Sequence, residues 1–426
     1  MNKLFTSLLT LFVFCFASVN AQHYVGGDIS LLPEYEKAGA VYKDVNGTII
    51  PDLLPWLKNQ GMNAMRVRLF VNPKKYQELH KNDTGSDTKY DPNACQDLEY
   101  ITPICKKIVD NGMDLMLDFH YSDTWADPAK QWTPIDWENL SDEQLYQKIY
   151  DYTKETLETL KSQGIVPAFI QPGNEISYGM LWGKLGSAES SLKKVYMNNN
   201  ANWDRFGKLL SQAIKACREV CPEAKIVIHT ERTAQLDVEK YFYDKMKEMN
   251  IDYDIIGLSY YPYFHGKINV LDSSLSMLEA NYPEKNIMIV ETGYSYAWEV
   301  PGTDKPVDYP YTAAGQNQFA TALVNTLEKH SSVDGLFWWW MEYNAYSTSL
   351  SGWYNAPLFD SRDGKALPAL TTICSFSKSS GVTELPADNS TIPTLWYNLQ
   401  GQPVAAPDAH SAPGIYVSRD KKIIIR

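Results

Sequence analysis

Two glutamates and an asparagine carry the chemistry for which this chain is equipped. Glu175 follows Asn174 just beyond an apolar run ending in Gln171-Pro172-Gly173, and Glu291 closes the run Ile287-Met288-Ile289-Val290. An acid at the end of a strand, above the packed interior of a (β/α)8 barrel, stands where such folds carry out their reactions. A retaining glycosidase needs two such acids, with carboxyls about 5 to 5.5 Å apart, one protonating the leaving oxygen and the other attacking the anomeric carbon. Asn174 assigns the roles, because an amide beside the acid can bond the sugar 2-hydroxyl, a contact that strengthens in the transition state. Glu175 is therefore expected to be the acid/base and Glu291 the nucleophile. The charge of Glu291 would keep Glu175 protonated, and glycosylation of Glu291 would remove that charge and let Glu175 turn base. The structural alternative is an Asn-Glu helix cap and a Glu291 paired with an arginine.

Positioning these acids requires strands that alternate with helices. Apolar runs predict strands at 24–29, 64–70, 114–119, 166–170, 225–228, 255–259, 287–290 and 335–339. Eight is the number a closed barrel uses. Helical periodicity falls between them: Leu98, Ile101, Ile104 and Ile108 form one apolar face that stops at Asn111-Gly112, a good C-terminal cap. Further helices are expected at 143–163, 203–220, 238–249, 269–280, 313–329 and 367–375. Strict alternation favours a (β/α)8 TIM barrel over an open doubly wound sheet, whose Gly-rich nucleotide turn is missing. The connections at 72–93, 121–141, 292–311 and 342–363, rich in Tyr, Trp, Pro and Asp, follow strands two, three, seven and eight. On that side of the barrel they would wall an extended cleft, suited to cutting inside a polymer.

Composition narrows the partners. The 426 residues, 44% hydrophobic, suffice for one large barrel, and 39 Lys+Arg against 51 Asp+Glu leave a net charge of -12. Without a basic stripe, nucleic acid is not an expected partner. Lys3, the apolar stretch 4–16 and Val19-Asn20-Ala21 read as a secretory signal over residues 1–21, so a secreted protein without a transmembrane segment, acting as a monomer, is expected. Removing Cys15 leaves Cys95, Cys105, Cys217, Cys221 and Cys374, at most two pairs, with Cys217 and Cys221 one turn apart and packing inward. No Cys/His spacing suggests zinc. The barrel is expected over 22–377, and 378–426, with its polar Lys378-Ser379-Ser380-Gly381 linker and alternating residues around Gly401 and Gly414, as a small β-hairpin tail without catalysis.

The run from Asp118 to Pro128, Asp-Phe-His-Tyr-Ser-Asp-Thr-Trp-Ala-Asp-Pro, followed by Gln131 and Pro134, resembles the signature of glycoside hydrolase family 53, the endo-β-1,4-galactanases. Gly27-Asp28-Ile29-Ser30, Arg66-Val67-Arg68, Asn72-Pro73, Gly173-Asn174-Glu175, His229, Ser259-Tyr260-Tyr261-Pro262, Glu291-Thr292, Leu358-Phe359-Asp360 and Gly364 agree with it. The resemblance spans 26–370 and implies a (β/α)8 barrel that cuts the β-1,4-galactan of type I arabinogalactan and pectin internally, with retention. The family's Tyr-Trp-Glu-Pro after strand eight is replaced by Trp338-Trp339-Trp340-Met341-Glu342-Tyr343, so the sugar-stacking tryptophan implied by the resemblance is Trp339 or its neighbour. Some bacterial members of the family that this chain resembles hold a calcium ion in a longer loop after strand seven. Here that loop offers only Glu299, Asp304 and Asp308, a set that suits a solvated loop as well as a calcium site, and no cofactor is required.

Position and chemistry extend the site. Arg68, near the end of strand two, could orient and keep ionised the nucleophile, or form a structural ion pair. His120 could bond a sugar hydroxyl, or pack as a core histidine. Asp123 and Trp125 are subsite contacts or loop anchors, and His229 and Tyr261 candidates for the subsite wall. Competing functions are a barrel hydrolase acting on glucan or mannan, and a non-catalytic glycan-binding surface protein, which would be expected to have lost a carboxylate.

Overall fold

The structure, a computed structural model, describes residues 23–85, 91–187, 190–197, 200–300, 305–344 and 356–378, together with four short strands between 396 and 425. The expected secretory signal and most of the linker after 378 lie outside the described residues. Contacts divide the chain into two compact units, Met1–Gly381 and Val382–Arg426.

In the first unit eight parallel strands form a ring: β1 Tyr24–Gly27, β2 Ala64–Leu69, β3 Asp114–Phe119, β4 Phe169–Pro172, β5 Lys225–Thr230, β6 Ile255–Tyr260, β7 Asn286–Thr292 and β8 Val333–Trp338. From β2 to β8 each pairs with the next, and β8 returns to β1 in the register Tyr24↔Gly335 to Gly27↔Trp338. The seam between β1 and β2 is bridged by Asn63 N–H to Val25 O at 2.9 Å and Ile29 N–H to Arg66 O at 3.1 Å. The fold is a (β/α)8 TIM barrel.

Helices Leu98–Asp110, Asp142–Ser162, Asn200–Val220, Leu236–Glu248, Ile268–Asn281, Ala313–Leu327 and Pro368–Ser375 alternate with the strands. Local signals set their ends. Ser141 accepts from Gln144 N–H at 3.3 Å while the Gln144 side chain accepts from Ser141 N–H at 2.9 Å, a reciprocal cap that satisfies two orphan donors. Asn111-Gly112 ends its helix as expected, with Gly112 at φ +63°. Two expectations are corrected. The fourth strand runs Phe169–Pro172 instead of 166–170; Pro167 has no N–H for a central ladder, and Val166 stays half exposed. The connection 72–93 also contains a helix, Pro73–His80, which Asn72 caps by accepting from Lys75 N–H at 3.2 Å.

The barrel interior is layered. Period-2 alternation turns one row of each strand inward, and each row begins apolar: Ala64, Met116, Phe169, Val227, Ile255 and Met288 belong to one buried cluster. Two positions further on the rows turn polar, to Arg66, Asp118, Gln171, His229 and, after Gly257, Ser259. A Cβ on Gly257 would lie 2.7 Å from Val227 Cγ1, so this layer has no room for even a methyl. β7 breaks the alternation: Leu258 pairs with Ile289 but Ser259 pairs with Glu291, so Val290 is one residue too many. Such a bulge re-aims the side chain that follows it, and Glu291 enters the polar layer.

The second unit is a four-stranded antiparallel sheet of Pro403–Val404, Trp396–Asn398, Gly414–Val417 and Lys422–Ile425, in that spatial order.

Candidate active site

Above the apolar floor, Arg66 organises the carboxylates. Its Nη2 lies 2.7 Å from Asp118 Oδ2, 2.8 Å from Asn174 Oδ1 and 2.9 Å from Glu291 Oε1, and its Nη1 lies 3.5 Å from Asp28 Oδ2. The guanidinium is fully buried, and a cation there holds several acids that would otherwise repel one another. Burial raises the Asp118 pKa, but the charge of Arg66 and the His120 ring N–H that bonds the carboxyl outweigh it and leave the carboxyl below its ordinary range. Burial pushes Glu291 up to about 7; Arg66 opposes this, Asp118 adds to it, and the Tyr261 hydroxyl, donating to Oε2 at 3.1 Å, opposes it.

Glu175 occupies the turn after β4 in the left-handed conformation, φ 48° and ψ 56°, a backbone state worth roughly 1 kcal/mol or more of strain for a residue with a Cβ. The turn aims its N–H at His229 Nδ1, 3.3 Å away, and its Oε1 accepts from Ser259 Oγ at 2.7 Å. Burial, then the charges of Glu291 and Glu231, hold its carboxyl well above the usual range, against the Ser259 bond. Glu291 faces a cation and Glu175 faces acids, so Glu291 ionises first and Glu175 keeps its proton. Residues 259 and 261 of one strand end thus each hold one of the two carboxyls.

The structure places Asn174, His229, Trp125 and Trp339 near this pair. Asn174 is fixed at both ends of its amide, Oδ1 by Arg66 and Nδ2 by Ala126 O at 2.8 Å. His229 is buried beside Asn174, Gln171 and Ser259. Trp125 donates Nε1–H to Asp91 Oδ2 at 2.7 Å and meets Trp339 edge-on at 6.2 Å, forming with Trp340 an aromatic wall on the β8 side.

Three assignments change. Arg68 does not orient Glu291: its Nη1 pairs with Asp28 at 2.6 Å and its guanidinium lies 4.8 Å from the Trp125 ring. Both arginines point inward two residues apart, and the depth at which the acids lie, which sequence parity leaves open, selects Arg66. His120 has both ring nitrogens engaged, Nδ1 by Ala126 N–H at 3.0 Å and Nε2 by Asp118 at 3.0 Å, so it supports Asp118 and has no ring proton left for a sugar hydroxyl. Asp123 is a loop anchor, its two oxygens accepting from Asn72 N–H at 2.9 Å and Ile135 N–H at 2.7 Å.

Arg66, Asp118, Gln171 and Ser259 stand in the runs that mark the strand ends, and inward parity was the signal that would have found them. Glu231 has no such signal. Its Oε1 meets the Ser177 hydroxyl and, at 3.0 Å, Arg232 Nε, placing a third acid near Glu175. Among the described residues no group of three or more His, Cys, Asp or Glu is arranged to hold a metal; Asp308 pairs with Lys267, and Asp304 lies outside the described residues. All five remaining cysteines are free. No helix among the described residues is long and apolar enough to cross a membrane.

Residues 24–373 match the model of glycosyl hydrolase family 53. The chain is 34% identical over 359 residues, 80% of its length and 92% of the relative's, to a probable arabinogalactan endo-β-1,4-galactanase A of Neosartorya fischeri. It is 33% identical over 346 residues, 78% of its length and 89% of the relative's, to an arabinogalactan endo-β-1,4-galactanase A of Emericella nidulans. Among solved structures, the Ignisphaera aggregans GH53 catalytic domain superposes with a TM-score of 0.70 at 29% identity, covering 84% of this chain and 97% of that one. A fungal β-1,4-galactanase structure gives 0.66 at 28% identity, covering 83% of this chain and 99% of that one.

Proposed function

From the premise that this chain belongs to glycosyl hydrolase family 53 and is a glycoside hydrolase, we propose that it hydrolyses internal β-1,4-galactosidic bonds of pectic galactan with retention. The observation that carries the mechanism is the unequal pair of glutamates: one against Arg66 and Tyr261, the other buried among acids with Ser259 as its donor. The substrate comes from the relatives' galactanase names.

In the first half-reaction Glu291 attacks the anomeric carbon while Glu175 gives its proton to the departing glycosidic oxygen. The guanidinium that neutralised Glu291 remains among Asp118 and Asp28, so its charge stays balanced when the ester forms. With that negative charge gone, the Glu175 pKa falls, so its carboxylate stays ionised and can take a proton from the water that attacks the glycosyl ester. Asn174 commits one Nδ2 proton to Ala126 O, which leaves the other for the sugar 2-hydroxyl. Trp339 supplies the apolar face beneath the ring, and residues 1–21 direct secretion.

Linear β-1,4-galactan, β-glucan and β-mannan are incubated with the protein, following oligosaccharide release over time and the anomer first formed by proton NMR. Mixed galacto-oligosaccharides of β configuration from galactan alone are expected. Release from glucan or mannan in preference to galactan overturns the substrate, and α-anomeric products overturn retention.

A further inference from the structure

Three hydrogen bonds form a ring that begins and ends on Glu175. Its N–H, aimed by the left-handed turn, donates to His229 Nδ1 at 3.3 Å; His229 Nε2 lies 2.8 Å from Ser259 Oγ; and Ser259 Oγ lies 2.7 Å from Glu175 Oε1. The direction of each bond follows from the first, because a backbone N–H cannot accept. His229 Nδ1 therefore presents its lone pair, and Gln171 Nε2 at 3.0 Å donates to the same nitrogen. Asn174 Oδ1, also 3.0 Å from it, accepts instead from Arg66 at 2.8 Å. Burial, then the charge of Arg66, keeps His229 neutral, so its single proton is on Nε2 and points at Ser259. The hydroxyl accepts that proton and has only its own left to give, to Glu175 Oε1.

We infer that Ser259, with His229 behind it, is a positioning residue that confines the acidic proton of Glu175 to Oε2. This rests on the reading of Glu175 as acid/base. The carbonyl oxygen of a carboxylic acid accepts hydrogen bonds better than its hydroxyl oxygen, so a fixed donor on Oε1 makes Oε2 the protonated atom. The Oε2–H proton passes to the glycosidic oxygen, the bond from that oxygen to the anomeric carbon breaks with its electron pair going to the oxygen, and the carboxylate left behind keeps the Ser259 bond. In the second half-reaction Oε2 receives the proton of water. The charged groups facing Glu175 are Glu291 from β7, Glu231 from the end of β5 and Asp127 from the loop after β3.

Ser259→Ala and Ser259→Thr are compared on linear β-1,4-galactan, whose leaving sugar needs the proton, and on 2,4-dinitrophenyl β-galactobioside, whose leaving group does not. For the alanine variant, kcat/KM on galactan is expected to fall at least about tenfold further than the burst rate on the aryl substrate. Its basic limb should move to higher pH, since the lost bond favoured the carboxylate. Threonine, which keeps the hydroxyl, should restore galactan turnover to within about threefold. Equal losses on both substrates, an unshifted basic limb, or a threonine variant as impaired as alanine would overturn the inference. Galactan cleavage by the unaltered enzyme tests the functional reading separately.

Discussion

Arg66 touches Asp118, Asn174 and Glu291 from a single guanidinium nitrogen, and its loss would expose their mutual repulsion. Arg66→Gln is expected to raise the pKa of Glu291, because Arg66 lowers it. The acidic limb of kcat/KM should therefore move to higher pH, and the variant should lose roughly 3–5 kcal/mol of stability, the usual consequence of leaving buried charge unpaired; pH-rate profiles and denaturant melts check the two effects. Glu291→Ala is expected to lower turnover by about 10⁴-fold or more while galactan still binds, measured by kinetics beside calorimetric titration. Substantial residual hydrolysis would remove Glu291 from the nucleophile role. The two acids and Asn174 could be singled out in the sequence because they stand at, or just beyond, the ends of apolar strand runs. Arg66 and Arg68 were not separable there: they share a strand face, and only the barrel's stagger decides which reaches Glu291.

At the level of elements, seven of the eight strands lie where apolar runs put them, and the eighth, Phe169–Pro172, is displaced by Pro167. The short helix Pro73–His80 was hidden because its Asn-Pro start also reads as a turn. Gly257 shows what the strands demand of one another: Gly257→Ala would press on Val227 Cγ1 at 2.7 Å and Val290 Cγ2 at 3.3 Å. A loss of about 1–3 kcal/mol is expected from such overpacking, read by thermal melting, with reduced turnover because Ser259 is two residues away on the same face. Asp123 joins the loops after β2 and β3 through two backbone bonds. Asp123→Ala should raise KM for galactan several-fold, roughly the loss of one to two hydrogen bonds, while the burst on an aryl galactobioside changes less. A parallel loss on both substrates would put Asp123 at the chemistry instead.

Across the whole molecule, buried acids set the pH at which the barrel is most stable. Burial pushes Glu239 and Glu342 up to about 8 from an ordinary value near 4.5, with the Thr230 hydroxyl opposing it at Glu239 and the Asp28 charge adding to it at Glu342. Between those values the folded chain binds more protons than the unfolded one, so stability falls as pH rises through that window and is fully present below it. The melting temperature should be higher at pH 5 than at pH 8, and Glu239→Gln, which cannot ionise, should narrow the gap; an unchanged gap would mean that Glu239 does not titrate differently in the two states. The ring of strands is also an eightfold repeat whose inward rows stay in phase, until Val290 is inserted in β7. Were the same residues in unbroken alternation, Ser259 would face Val290, and Glu291, one step further on, would turn toward the helices, away from its cation. Most substitutions here perturb a side chain; flattening this irregularity would exchange the inside and outside of the strand end that holds Glu291, and a transplant of this run onto an ideal barrel must either carry the irregularity with it or leave out the surplus residue.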